Sequence, residues 1–343
     1  MIKIKHFFCV AFIFTLSVAC FAMPDYLKIS IEPLFGLKSG NFGEYVFLNN
    51  PNYSDDKLSY LDWEFTPSLY YGIKSSVDYK NFTSTVRFTA GIPKKVGIIK
   101  DSDWLNNDSD TVSSTSGYNY KTNYSKSDNY LDSDIDFSIN GGWNFYPLKD
   151  LTITPNIGFE FSRTKFLAKN GYCLYGKSVA DDSKATLYYY PYNDPNPEHL
   201  DTGTFSGTVL TYTCTMYITW FGLDLSYQIP EQYTFNRALC LNVGFFTAPY
   251  IYALSEDSHP LKYINFADLC NSFFKTIKIN AGATYAFRKN LVLDLDFAYF
   301  KLFTIRGESY FKYPATKWNH STTSKGGIDC QYFDFSLGIK YVF

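Results

Sequence analysis

Apolar and polar side chains alternate over the C-terminal dozen residues, from 332 to 343. The apolar positions are Phe333, Phe335, Leu337, Ile339, Tyr341 and Phe343, and the positions between them include Asp334, Ser336, Gly338 and Lys340. Successive side chains of a β-strand point to opposite faces, whereas a helix repeats its apolar face every three or four residues. The period of two therefore predicts a β-strand with one apolar and one polar face.

The same alternation recurs upstream. It is found at residues 135–143, 151–161, 277–285 and 291–299, and charged side chains stand on the polar parity of these segments. In a soluble β-sandwich the polar face would meet solvent, whereas in a membrane β-barrel it lines the lumen. Alternation alone leaves both folds open.

The lengths of the connections distinguish the two folds. Short links at residues 78–81, 147–150, 229–234 and 288–290 alternate with long polar links at residues 40–57, 101–129, 165–206, 256–271 and 307–331. Short periplasmic turns and long outer loops are typical of membrane barrels. The four short and five long links predict an all-β fold, a ten-stranded antiparallel transmembrane β-barrel with long extracellular loops.

The composition agrees with a barrel and excludes other classes. The chain has 32 Phe and 31 Tyr, enough for aromatic girdles at both membrane interfaces and far more than a disordered chain carries. Its mean hydropathy of −0.18 is too polar for a bundle of membrane helices. With 31 Lys and Arg against 33 Asp and Glu, it has no basic excess, so we expect no nucleic-acid partner.

Residues 1–22 are typical of a secretory signal peptide, with a basic start and a short apolar stretch over residues 7–18. The small residues at the end of this segment predict cleavage after Ala22 and a mature barrel domain over residues 23–343. An alternative is a lipoprotein signal with Cys20 as the acylated first residue, although the usual small-residue pattern is imperfect.

Five cysteines follow the predicted cleavage site: Cys173, Cys214, Cys240, Cys270 and Cys330. An odd number cannot pair completely within one chain, and the spacing matches no metal-ligand pattern. Cys270 and Cys330 fall at predicted loop ends, so one disulfide between them is an open alternative. The favoured expectation is that most of these cysteines are small buried or loop residues.

Two pairs of ionisable residues fall at the outer ends of the predicted third and seventh strands. The third strand leads to Asp101 and Asp103, and the seventh leads to Asp257 and His259. Residues two apart in an extended chain face the same way. Because the two strands are four apart in a ring of ten, we expect the pairs to lie nearly opposite one another across the mouth of the barrel.

Such an arrangement suits hydrolysis. Asp257 can fix the tautomer of His259 and raise its basicity, so that the second ring nitrogen accepts a proton from water. Asp101 and Asp103 resist joint ionisation, so they can share a proton and steady the charge of a tetrahedral intermediate. Short patterns of this kind also occur in ordinary acidic loops, and the same four residues could instead bind Ca²⁺ or a transition metal.

Several separated segments resemble the omptin family of outer-membrane aspartyl-type endoproteases. They are Ser39-Gly40 with Gly43-Glu44-Tyr45-Val46, Leu61-Asp62-Trp63-Glu64-Phe65, Asp101-Ser102-Asp103-Trp104, Gly158-Phe159-Glu160-Phe161-Ser162-Arg163, Asp257-Ser258-His259 and Gly338-Ile339-Lys340-Tyr341-Val342-Phe343. Each motif alone is weak. Their order and position on a ten-stranded barrel make the combination specific, and together they cover essentially the whole mature chain.

The resemblance implies an endopeptidase in the bacterial outer membrane, with its active site facing the cell exterior. It would cleave exposed polypeptides, preferentially near basic residues, through water held between Asp101 with Asp103 and Asp257 with His259, without a metal or another cofactor. Glu44 would form an acidic wall of the pocket for the residue before the scissile bond. The alternatives are a solvated loop acid for Glu44 and, for the whole chain, a non-enzymatic adhesin or porin-like barrel.

The chain departs from the family pattern at two places. The family has a second pocket acid two residues before the dyad aspartate, where this chain has Ser255, with Glu256 beside it. One carboxylate instead of two weakens the expected selection for cations, unless Glu256 turns inward at a bulge. The family also needs lipopolysaccharide, held by basic residues on the outer wall. Arg163 matches one of these residues, although it could simply snorkel to the interface. The other position is Thr215, so we expect a weakened or different requirement for lipopolysaccharide or another outer-membrane lipid. We also expect a monomer.

Overall fold

The computed structural model describes residues 27–49, 57–108, 120–181, 186–230, 234 and 238–343. The predicted signal peptide, its cleavage site and Cys20 lie outside the described residues. The strands are β1 (Leu27–Leu48), β2 (Lys57–Tyr79), β3 (Phe82–Gly91), β4 (Lys94–Asp103), β5 (Asn123–Trp143), β6 (Phe145–Leu148), β7 (Leu151–Gly176), β8 (Ser178–Asp181), β9 (Thr186–Tyr189), β10 (Leu200–Ile229), β11 (Leu239–His259), β12 (Ile264–Ser272), β13 (Thr276–Arg288), β14 (Leu291–Lys312) and β15 (Asn319–Val342). Short 3₁₀ helices cover Leu105–Asp108 and Pro197–His199.

These strands form a closed antiparallel barrel of ten crossings, which confirms the predicted fold. β3 and β4 make the third crossing, interrupted where Pro93 lacks a backbone N–H, and β12 with β13 makes the eighth. β1 pairs with β15, and β5 pairs with β7, so the ring has no free edge. β8 and β9 form a separate hairpin outside the ring. Among the described residues, no helix is long and apolar enough to cross a membrane.

The alternation along β15 appears in the structure as predicted. Phe335, Leu337 and Ile339 face outward and are 44–50% exposed, whereas Asp334 and Ser336 face the lumen and are buried. Exposed apolar side chains of the same kind occur at the equivalent level of the other crossings, as a lipid-facing belt requires. The strands continue well beyond this belt on the side away from the termini.

Several strands are longer than predicted, because they run into segments predicted as loops. The clearest error is the long link predicted over residues 256–271, since β11 and β12 are joined by a turn at residues 260–263. In this turn the Lys262 N–H donates to the His259 carbonyl at 3.0 Å. Above the membrane the outer face of a strand meets water, so its sequence need not alternate. The strands therefore extend further beyond the membrane than predicted.

The lumen is filled at two levels. At the membrane level, buried ion pairs cross it: Lys38 lies 2.9 Å from Asp134 and 2.5 Å from Asp136. Lys74 lies 2.9–3.0 Å from Glu32, Asp294 and Asp296. Above these pairs, an apolar core packs inside the barrel, with the Trp63 ring stacked 5.3 Å from Tyr212. The residues of the outer mouth lie above this core.

All five cysteines in the described part of the chain are free thiols. Cys270 and Cys330 lie within β12 and β15 rather than at loop ends, and both are completely buried in the inner core. β14 runs between these two strands in the sheet. The disulfide that was left open between them is therefore absent.

Candidate active site

Asp101 and Asp103 lie within β4, near its outer end, rather than in a loop beyond it. In the ladder with β2, Asp101 stands opposite Leu61 and Asp103 stands opposite Ser59. The Asn123 side-chain amide donates to Asp103 Oδ2 at 3.3 Å. Asp101 Oδ1 is buried and has no hydrogen-bond partner among the described residues. The Asp103 carboxylate is thus held in place, whereas one oxygen of Asp101 is left to contact a ligand.

The surroundings of this pair raise the pKa of both carboxyl groups. Burial raises the pKa of Asp101 well above its usual range, and the charge of Asp103 raises it further. Burial also raises the pKa of Asp103, although a hydrogen bond from Ser59 and the charge of Lys262 oppose this. The pair therefore retains a proton at pH values where an ordinary aspartate has lost it. The main cause is burial rather than the mutual repulsion that the sequence suggested.

Asp257 and His259 close the outer end of β11. The two side chains lie on the same face, and His259 Nε2 is 2.5 Å from Asp257 Oδ2. Phe266 packs against the imidazole edge to face, at 5.4 Å between ring centroids. With Nε2–H donated to the carboxylate, Nδ1 is the nitrogen that accepts a proton. The Asp257 side chain is 5% exposed and the His259 side chain is 21% exposed. The imidazole is therefore accessible from the mouth, whereas the Asp257 carboxylate is shielded from water.

The two pairs meet at one cavity. Asp101 and His259 both line a space of about 160 Å³, together with Tyr175 and Lys262. The charge of Asp257 raises the pKa of Asp101, and that of His259 lowers the pKa of Asp103. The third and seventh crossings thus bring the predicted groups within electrostatic range across the mouth. What this arrangement offers is a base on one wall and a proton-holding acid pair on the other.

Glu44 lies inside the barrel on β1 and is 4% exposed, so the alternative of a solvated loop acid is wrong. The Trp63 indole N–H donates to Glu44 Oε2 at 3.4 Å. Burial raises the pKa of Glu44 well above its usual range, and the charges of Asp257 and Asp268 raise it further. Glu44 is therefore buried close to the dyad and to another acid, Asp268.

The structure also shows where Ser255 and Glu256 lie, the two residues at which the chain departs from the family pattern. Ser255 is buried on β11, and its hydroxyl donates to Asp268 Oδ2 at 3.2 Å. Glu256 faces outward and is exposed. Asp268 was missed because it falls inside the segment predicted as a loop. Continuing β11 through His259 and folding it back over a four-residue turn would have placed residue 268 opposite Ser255.

Arg163 is exposed on the outer wall of β7, between the buried Ser162 and Thr164. Thr215 on β10 is its register partner. Arg163 therefore has the outward orientation that its parity predicted, at the upper margin of the apolar belt.

The geometry gives no support to a metal ion shared by the four predicted catalytic residues. Within the described part of the chain, one group of three His, Cys, Asp or Glu side chains has ligand atoms within 4.8 Å of one another, and it is Glu32, Asp294 and Asp296. Lys74 already pairs with all three of these carboxylates. The four mouth residues do not converge in this way.

Comparison with known proteins identifies the family. The sequence profile of the Omptin family matches residues 25–343. Among solved structures, the crystal structure of the outer membrane protease OmpT from Escherichia coli matches with a TM-score of 0.75 and 18% sequence identity, covering 94% of this chain and 98% of that chain. At this identity the structural match shows the fold. No curated protein sequence matches the chain.

Two further solved structures match with low scores. The translocator domain of the autotransporter NalP from Neisseria meningitidis has a TM-score of 0.35 at 7% identity, covering 98% of this chain and 95% of that chain. The β domain of the Bordetella autotransporter BrkA has a TM-score of 0.29 at 12% identity, covering 93% and 100%. Neither score supports an argument. From the family profile and the barrel that agrees with it, the chain belongs to the Omptin family and is a protease of the bacterial outer membrane, with its active site facing the cell exterior.

Proposed function

We propose that the protein is an endopeptidase that hydrolyses exposed polypeptides with water activated between Asp101 with Asp103 and Asp257 with His259. The observation that carries this proposal is the cavity shared by Asp101 and His259, with Asp257 hydrogen-bonded to the imidazole at 2.5 Å. A base and an acid pair on opposite walls of one cavity are the groups that water-mediated hydrolysis needs. No feature of the described residues favours the non-enzymatic alternative.

The chemistry follows from the side chains. His259 Nδ1 takes a proton from water, and the water oxygen attacks the carbonyl carbon of the substrate. The proton held by Asp101 and Asp103 donates a hydrogen bond to the developing oxyanion. As the tetrahedral intermediate collapses, the C–N bond breaks and the imidazolium returns its proton to the leaving amine. Asp257 stabilises the imidazolium throughout. This series of reaction steps therefore needs no metal or other cofactor.

Glu44 supplies the basis for a preference for basic residues. A buried carboxylate beside the dyad attracts a Lys or Arg side chain that enters the pocket for the residue before the scissile bond. Because charge-assisted hydrogen bonds contribute roughly 1.5–3 kcal/mol, one such acid favours a basic over a neutral side chain by about tenfold or more.

A peptide assay tests the proposed activity. The protein is refolded in detergent, with and without lipopolysaccharide, and cleavage of a fluorogenic peptide with paired basic residues is followed. We expect His259→Ala to lower kcat by at least about 100-fold, because general-base catalysis typically contributes that much. The matched control is His320→Ala, an exposed histidine that pairs with Glu308 at 2.7 Å on the outer end of β15. Equal activity of the His259 variant, or no turnover by the wild type on a varied peptide set, would refute the proposal.

We also propose that an outer-membrane lipid contacts Arg163. Its guanidinium stands on the outer wall, and Lys165 on the same strand is 2.8 Å from Asp132, which leaves Arg163 as the more available cation for a lipid phosphate. Arg163→Gln should raise the lipopolysaccharide concentration needed for half-maximal activity. If that concentration is unchanged, Arg163 snorkels and plays no part in lipid binding.

A further inference from the structure

The pocket that contains Glu44 has a second acidic wall. Asp268 on β12 is 5% exposed and faces the interior, and its charge raises the pKa of Glu44. Burial raises the pKa of Asp268 to about 6. Gly326 on β15 makes room for it, since a Cβ at that position would collide with the Asp268 carboxyl group. The side chain thus leans from β12 across the neighbouring strand towards β1, which carries Glu44.

Neutral donors hold the Asp268 carboxylate in place. Ser255 on β11 and Ser309 on β14 are its register partners on either side. The Ser255 hydroxyl donates to Asp268 Oδ2 at 3.2 Å, and a hydrogen bond from Ser309 lowers the pKa of the carboxyl group against the effect of burial. The carboxylate is therefore oriented without being neutralised.

No Lys or Arg in the described part of the chain compensates these acids. Among the described residues, neither Glu44 nor Asp268 forms an ion pair with Lys or Arg, whereas Asp134 and Asp136 share Lys38 lower in the lumen. Asp257 Oδ1 is also buried without a hydrogen-bond partner, and the charge of Asp257 acts on both Glu44 and Asp268. Burial raises the pKa of both acids, and a cation that enters from outside would favour their charged form.

Two aromatic rings lie beside Glu44 and would flank the stem of a basic side chain that reaches it. Trp63 donates to Glu44 and stacks on Tyr212, and both rings are fully buried. Aromatic faces suit the methylene groups of Lys or Arg, while the charged end meets the carboxylates. A divalent metal fits less well, because Glu44 and Asp268 belong to no group of three ligand atoms within 4.8 Å in the described part of the chain.

We infer that Asp268 is a specificity-determining residue that acts together with Glu44 to select Lys or Arg before the scissile bond. It supplies, from the neighbouring strand, the second carboxylate that Ser255 cannot provide. This inference rests on the proposed function, which assigns the pocket to the residue before the scissile bond. With Asp268 in this role, we expect strong selection for Lys or Arg instead of weakened selection.

The test compares two matched peptides that carry arginine or its neutral isostere citrulline before the scissile bond. Asp268→Asn should lower kcat/KM for the arginine peptide by about 10- to 100-fold, while kcat/KM for the citrulline peptide stays within about twofold. The matched control is Asp128→Asn, which removes a partly exposed acid that pairs with Lys95 on the outer wall. Equal losses on both peptides would overturn the inference.

A double variant provides a second test in case the single variant Asp268→Asn fails to fold. In Ser255→Asp combined with Asp268→Ser, the carboxylate moves to the register partner, and the preference for arginine should return to within about threefold of the wild type. Failure of the exchange to restore the preference, in a folded protein that still cleaves the citrulline peptide, would count against a pocket role.

Direct binding separates this inference from the proposed function. Binding of arginine amide and citrulline amide can be followed by tryptophan fluorescence, because Trp63 contacts Glu44. We expect arginine amide to bind the wild type and to lose at least about tenfold in affinity in Asp268→Asn. If that loss is seen without any peptide cleavage, the acidic pocket stands and the proposed endopeptidase activity falls. If arginine amide binds both proteins equally, Asp268 has no part in recognising the cation.

Discussion

At the scale of single residues, burial changes the pKa values of the acids at the mouth. Asp101 and Asp103 have raised pKa values chiefly because β4 carries them into the mouth, where water is scarce. Asp257 is the most sheltered member of the dyad, and its partner His259 remains accessible. The same residue types in an exposed loop would have ordinary pKa values. The short pattern in the sequence therefore identified residues that meet at the mouth, but it did not show that burial would raise the pKa values of the two aspartates.

The first prediction concerns pH. Activity should fall on the alkaline side, because the raised pKa of Asp101 marks where the pair loses the proton that steadies the oxyanion. A profile of kcat against pH should therefore stay high where an ordinary aspartate is already ionised and decline at higher pH. A rate that stays constant through alkaline pH would contradict the role of the acid pair.

The second prediction concerns Glu44. Glu44→Gln keeps the size of the side chain and the contact with Trp63 but removes the charge. Turnover of peptides with Lys or Arg before the scissile bond should drop by about tenfold, and turnover of neutral peptides should drop much less. Kinetics on a matched peptide pair check this. Equal loss on both would remove Glu44 from the pocket.

At the scale of strands, the upper barrel is a continuation of the membrane-spanning strands rather than a set of loops. The tight turn at residues 260–263 brings β12 back beside β11, and this pairing places Asp268 next to Ser255. Close approach of β15 then decides where the Asp268 carboxylate lies, since Gly326 has no side chain in its way.

The third prediction tests that close approach. Gly326→Ala should displace the Asp268 carboxylate, because the added methyl group would overlap it. The preference for arginine over citrulline should fall by about tenfold, with little change for the citrulline peptide. The control is Gly141→Ala, where the new methyl group would meet the Phe82 ring at an ordinary 3.6 Å. An unchanged preference in the Gly326 variant would contradict this account of the pocket.

At the scale of the whole molecule, the barrel separates the ion pairs of the membrane-level lumen from the buried acids of the mouth. In the membrane-level lumen, Lys74 balances Glu32, Asp294 and Asp296. In the mouth, Glu44 and Asp268 have no such partner among the described residues. The inner core with Trp63 and Tyr212 lies between the two levels and keeps them apart.

The fourth prediction concerns the ion pairs in the membrane-level lumen. Lys74→Met should leave three carboxylates without their shared cation and destabilise the barrel by about 3 kcal/mol, less any relief from Lys340, which lies 3.0 Å from Asp294. Denaturant unfolding in detergent micelles measures this. The control is Lys95→Met, which breaks an exposed pair with Asp128 and should change the free energy of unfolding far less, because water screens an exposed ion pair. Equal effects of the two substitutions would show that the lumen pairs are not structural.

The sequence by itself determined the ten-stranded barrel, because a membrane imposes a period of two on every strand that crosses it. It also determined which four residues meet at the mouth, since strand parity and strand order are properties of the chain. Only the tertiary structure decided how far the strands extend, because outside the membrane no lipid enforces alternation. It also decided that Glu44 is buried, that Cys270 and Cys330 stay apart, and that Asp268 stands beside Ser255. These outcomes depend on pairing register and on contacts between distant strands, which a local pattern does not specify.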